Sequence, residues 1–73
     1  MLAKDLFSRQ VIDEGGNRVG KIADLDVDIM SGVVHYIVIR TGLLSSRKIK
    51  LDKIKSVGDE IILNVRKNTL QDL

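Results

Sequence analysis

Between Lys21 and Ile29 the chain carries apolar residues at Ile22, Ala23, Leu25, Val27 and Ile29, with Asp24, Asp26 and Asp28 set among them. Side chains on a strand point alternately to its two faces, so the segment predicts a long strand with one apolar and one acidic face. The expected strand runs from Val19 to Ile29, and Gly20 marks a bulge or bend within it. Met30, Ser31 and Gly32 then predict a tight hairpin loop, with Gly at the position that a left-handed residue occupies. Val33 to Arg40 follows as the return strand.

Weaker signals fill the rest. Ala3 to Leu6 predicts one helical turn, and Phe7 to Ile12 a first strand. Asp13 to Asn17 predicts a turn, because Gly15, Gly16 and Asn17 tolerate positive φ. Thr41 to Arg47 is an expected loop. Lys48 to Leu51 is an expected short strand with Ile49 and Leu51 on one face. Asp52 is the expected N-cap of a single turn ending at Lys55. Gly58 and Asp59 make another turn, Glu60 to Arg66 a last strand, and Thr69 with Asp72 a final cap. There is no proline, no internal repeat and no linker, so residues 1–73 are expected to form a single domain. Five to six short strands without a periodic helix predict an all-β fold, a small barrel or half-barrel that limits its exposed edges.

Composition narrows the chemistry. A chain of 73 residues buries only roughly 60% of the surface its unfolded form exposes. Such domains often draw further stability from disulfides, metals or association. With no Cys and one His, disulfides, thiolate ligands and a His-rich zinc site are excluded. Association remains. The 44% hydrophobic and 30% charged content argues against disorder. No apolar run approaches the roughly 20 residues that cross a bilayer. Lys4, Asp5 and Arg9 interrupt any signal-peptide core. The expectation is a soluble cytoplasmic protein, complete from Met1, with no membrane insertion.

The order of residues also carries a resemblance. A-x-D-L near the start is followed by D-E-G-G-N-x-V-G-K-I-x-D, then D-I-M-S-G-V-V-H-Y-I-V-I, and finally G-D-E-I-I-L. In this order and spacing the chain from Ala3 to Leu63 resembles the PRC-barrel domain family. Its most specific elements are Asp5-Leu6, Val19 to Ile22, Asp24, Asp28, Gly32 and Tyr36. One departure is Leu51-Asp52-Lys53, where many members carry a proline and an aromatic. The resemblance implies a small β-barrel that binds other macromolecules and does no catalysis. Short free-standing archaeal members look like adaptors, some at the cell-division ring and some dimeric.

Asp24, Asp26 and Asp28 open like a calcium loop, but the Gly and Glu that such a loop needs are replaced by Ile29 and His35. Alternate carboxylates on a strand stand about 6.6 Å apart, so no metal is expected. Asp24 and Asp28, with Gly15, Gly16, Gly20 and Gly32, are instead expected to serve turns. His35 has no partner at a catalytic spacing. No enzyme activity and no cofactor are expected. Val33 to Ile39 is apolar on both parities, so its outer face needs a cover, either the N- or C-terminal segment of the same chain or a second copy or another protein. Val34, Tyr36 and Val38, with loop residues Leu43 and Leu44, are the expected partner surface.

Net charge is +2, but Arg47, Lys48, Lys50, Lys53 and Lys55 cluster in sequence as a candidate polyanion patch. Only Phe7 and Tyr36 are aromatic, and neither interleaves that run, which disfavours base stacking. The resulting expectation is a non-enzymatic protein–protein adaptor acting as a homodimer with a further protein partner. The alternative is an RNA- or ribosome-associated binding module.

Overall fold

Six short strands form one sheet in the computed structural model, which describes residues 1–69. They are β1 (Gln10–Ile12), β2 (Arg18–Asp28), β3 (Val33–Arg40), β4 (Ser46–Lys50), β5 (Ile54–Val57) and β6 (Ile61–Leu63). Single 3-10 turns occupy Ala3–Asp5, Leu51–Lys53 and Lys67–Thr69. The order across the sheet is β4-β3-β2-β1-β6-β5. All neighbours are antiparallel except β1 and β6, where Val11 lies beside Ile61 and Ile12 beside Ile62.

This order forces curvature. A flat six-stranded sheet would hold its edges about 24 Å apart at the usual strand spacing. The edges here are β4 and β5, and only Leu51–Lys53 joins them. The four residue steps from Lys50 to Ile54 reach at most about 14 Å. The sheet therefore curls until its edges approach, without closing, and the joining turn packs against β3. The hollow is filled by Val11, Val19, Ile22, Ile37, Ile39, Ile49, Ile61 and Leu63, with Leu6, Leu25, Ile54 and Val65 packed against them. Each large side chain so buried contributes about 1.5–3 kcal/mol.

Three register shifts among β1, β2 and β3 correct the simple alternation read from the sequence. Ile22 has the parity of the aspartates, yet it is core. The shift between Ile22 and Asp24 skips Ala23, so Ile22 and Leu25 both face inward while Asp24 and Asp26 face outward. A second shift sets Asp26 opposite Tyr36 and Val27 opposite Val34, skipping His35. Paired residues share a face, so Val34 leaves the face that holds Tyr36 and Val38. The third lies on β2 against β1, where Val11 pairs with Gly20 and Ile12 with Arg18.

Other boundaries moved for local reasons. The first strand is Gln10–Ile12 rather than Phe7 to Ile12, because Ser8 adopts φ +70. Ser8 N–H donates to the Ile22 carbonyl and Ile22 N–H to the Arg9 carbonyl, so two residues oppose one. That is a bulge whose left-handed position glycine usually fills. Leu51 and Asp52 lie inside the 3-10 turn, where Leu51 is exposed and Asp52 makes no side-chain cap. Ile54–Val57 is a strand missed in the sequence, because its pairing with β6 shifts between Ile54 and Ser56 and breaks the alternation. The last strand is shorter than expected, ending at Leu63. Thr69 Oγ1 donates to the Arg66 carbonyl; the expected partner Asp72 lies outside the described residues.

Candidate functional site

Two surfaces stand out. The first is the outer face of β2, β3 and β4. Val38 sits between Asp24 on β2 and Lys48 on β4, and Tyr36 sits between Asp26 and Lys50. The strand pairing thus lays three bands side by side: acid, apolar, base. Within the chain Lys48 Nζ reaches Asp26 Oδ2 at 2.8 Å and stands 5.5 Å from the Tyr36 ring centroid. The hydrogen bond and charge of Asp26 raise the Lys48 pKa from its ordinary 10.5. Both groups are largely solvated, so the pair itself is worth little.

The ends of this face are apolar loops. Ile29 and Met30 cap the β2–β3 hairpin at 83% and 96% exposure, and Leu43 and Leu44 follow β3 at 95% and 97%. Leu44 borders a shallow depression shared with Val38, Ser46 and Lys48. Among the described residues nothing buries Leu43 or Leu44, while Tyr36 and Val38 are half-buried.

The aspartates of β2 serve the backbone and the lysines. Asp24 Oδ1 accepts the Leu25 N–H at 2.8 Å. Asp28 Oδ1 accepts the Met30 N–H at 3.0 Å and the Ser31 N–H at 3.4 Å, while Gly32, at φ +71, donates to the Asp28 carbonyl. The Ser31 N–H and hydroxyl, then the Met30 N–H and His35, hold the Asp28 carboxyl below its ordinary 3.8 against the opposing effect of burial. His35 Nε2 lies 3.5 Å from Asp28 Oδ2. Among the described residues, no group of three or more metal-ligating side chains comes together.

The second surface was not anticipated. A cleft of about 610 Å³ is lined by Asp13, Asn17, Val19, Thr41, Arg47, Arg66, Lys67 and Asn68. Through Val19, Thr41 and Lys67 it continues into a depression of about 300 Å³ that adds Arg18, Lys21 and Arg40. Among the described residues Asp13 is its one carboxylate, and it is only 2% exposed. Oδ1 accepts the Gly15 N–H at 2.9 Å and the Asn17 N–H at 2.7 Å. Oδ2 accepts the Lys67 N–H at 2.8 Å and the Asn17 side-chain amide at 3.3 Å. The Lys67 N–H lowers its pKa most, burial opposes, and the Asn17 and Gly15 donors lower it further. Gly16 in the same turn lies at φ +84.

The five basic residues grouped in sequence are dispersed. Arg47, Lys48 and Lys50 share β4, where Arg47 alone lines the cleft, while Lys53 lies in the 3-10 turn and Lys55 on β5. The cations that the fold does assemble come from β2, the end of β3, β4 and the segment after β6. No spacing in the sequence links them; only the strand order does. Asp13 was legible in principle, as the acid heading a D-E-G-G-N turn.

A curled, six-stranded, mostly antiparallel sheet, with no helix beyond single turns among the described residues, defines a small β-barrel-type module. The chain belongs to the PRC-barrel domain family, whose model matches residues 1–70. PRC-barrel domains are protein-interaction modules. A search of curated proteins found no match. No helix among the described residues is long and apolar enough to cross a membrane.

Proposed function

We propose that this chain is a non-enzymatic adaptor that acts as a homodimer through the outer face of β3. The observation that carries this reading is the order of the bands: Asp24 and Asp26, then Tyr36 and Val38, then Lys48 and Lys50. Consider two copies stacked face to face about a two-fold axis running along β3. Each apolar band then meets its equivalent, and each acidic band meets the basic band of the other copy. A two-fold across the strands would set acid on acid and base on base, which costs energy at every pair. The banding therefore favours one isologous arrangement, with Leu43 and Leu44 at one end of the buried stripe.

Light scattering on this reading gives a mass twice the 8.1 kDa of the chain, and Tyr36→Glu returns it to the monomer. The charge bands supply a sharper check. A variant with Asp24→Lys and Asp26→Lys, and a second with Lys48→Glu and Lys50→Glu, should each be monomeric alone. Mixed, they should form a heterodimer. A wild-type monomer at high micromolar concentration, or a mixture that stays monomeric, would refute the arrangement.

A further inference from the structure

The basic cleft between the start of β2, the β3–β4 loop and the segment after β6 lies apart from the central side chains of the dimer face, although Thr41 and Arg47 also border the depression beside Val38 and Leu44. Tyr36 lines neither of its depressions, and nor does Val38. We propose that it binds an acidic peptide segment of a partner protein.

Charge is the first ground. Arg18, Lys21, Arg40, Arg47, Arg66 and Lys67 line the two joined depressions, against a single carboxylate among the described residues. The whole chain carries only +2, so the cleft holds more positive charge than the molecule shows on balance. Asp13 does little to offset it, because four N–H groups of its own chain already occupy both oxygens. Arg18, Lys21, Arg40, Arg66 and Lys67 make no ion pair among the described residues. Unpaired cations gathered in a concave surface focus potential and draw in anions.

Shape and lining choose among anions. Two joined depressions of about 610 and 300 Å³ far exceed a single phosphate and suit a short extended chain. Neither aromatic residue is in the two depressions that form the cleft, so a nucleic acid would find no stacking platform there. Four of the six cations are arginines, whose planar forks match carboxylates in a two-pronged geometry. Asn17, Thr41 and Asn68 add side chains able to bond a peptide backbone. Carboxylates along an extended segment, spaced by their own strand geometry, meet these features better than a compact ligand.

The test is fluorescence anisotropy of a labelled hexaglutamate peptide against the whole protein at low salt. Binding should weaken as salt rises, and Arg40→Ser with Arg66→Ser should weaken it by about tenfold without changing the circular-dichroism melt. Both side chains are exposed, so the fold should tolerate their loss. Tyr36→Glu should leave peptide binding intact even where it abolishes the dimer, which separates this proposal from the previous one. Peptide binding indifferent to the two arginine substitutions would overturn the site. Tighter binding of a six-nucleotide single-stranded RNA, or equal displacement by inorganic phosphate alone, would overturn the ligand class.

Discussion

Gly20→Ala should cost this protein about 3 kcal/mol of stability, near the upper end for overpacking a well-packed interior. Gly20 pairs with Val11 in β1 and lies where β2 crosses close under the end of β3. A Cβ there would run into the Arg40 carbonyl and stand 2.8 Å from Ile39 Cγ2. Backbone cannot step aside as a flexible side chain does, and Ile39 is fully buried. A domain of this length has about 4–11 kcal/mol in total, so Gly20→Val should leave much of the chain unfolded at room temperature. Urea denaturation followed by circular dichroism would measure both. An alanine variant within 1 kcal/mol of wild type would mean that β2 and β3 separate more easily than their packing implies.

Asp13→Asn should lower the melting temperature by on the order of 10 °C and should flatten the acid limb of the stability curve. The carboxylate gathers four donors from two distant segments, and an amide can offer its nitrogen to none of them. The Lys67 N–H is the largest influence holding the folded pKa below the ordinary 3.8. A depressed folded pKa means that the stabilisation is complete above the unfolded value. It drains away as the pH falls through the lower folded value. Wild type should therefore lose stability below about pH 4, with Asp28 contributing in the same direction. Thermal melts between pH 2 and pH 7 check this: an Asn variant that keeps the wild-type slope would assign the acid sensitivity elsewhere.

The class of fold was legible because β2 is long enough to show alternation and β3 follows it as an unbroken run rich in β-branched residues. The hairpin glycine and the turn at Asp13 to Asn17 punctuate them clearly. What escaped were the places where backbone geometry overrides alternation. Ile22 reads with the wrong parity until Ala23 is skipped, and Val34 reads with Tyr36 until His35 is skipped. Ser8 gives no hint that it will sit at positive φ. β5 is hidden because a shift interrupts the alternation of its four residues, the first two of which read as the end of a turn. The acid, apolar and basic bands were each visible as segments, but their lateral order depends on strand pairing. The cleft was invisible for a similar reason. Arg18, Arg40, Arg47 and Arg66 belong to different segments, and a linear reading grouped Arg47 with its lysine neighbours instead.

The parallel pairing of β1 with β6 has a consequence for how the chain reaches this state. β2, β3 and β4 form a meander of local hairpins that can assemble early at small entropic cost. Val11 meets Ile61, and Asp13 meets a Lys67 N–H 54 positions away, only after a long loop has been closed. The rate-limiting barrier should therefore hold the meander formed and the two ends of the chain still apart. Ile37→Val should slow folding, and Ile61→Val should instead speed unfolding. The reverse partition in stopped-flow kinetics would place the nucleus at the chain ends. In the expected order, the first and last strands meet late, and the cleft that Arg66, Lys67 and Asn68 help to line exists only once the segment after β6 has come home.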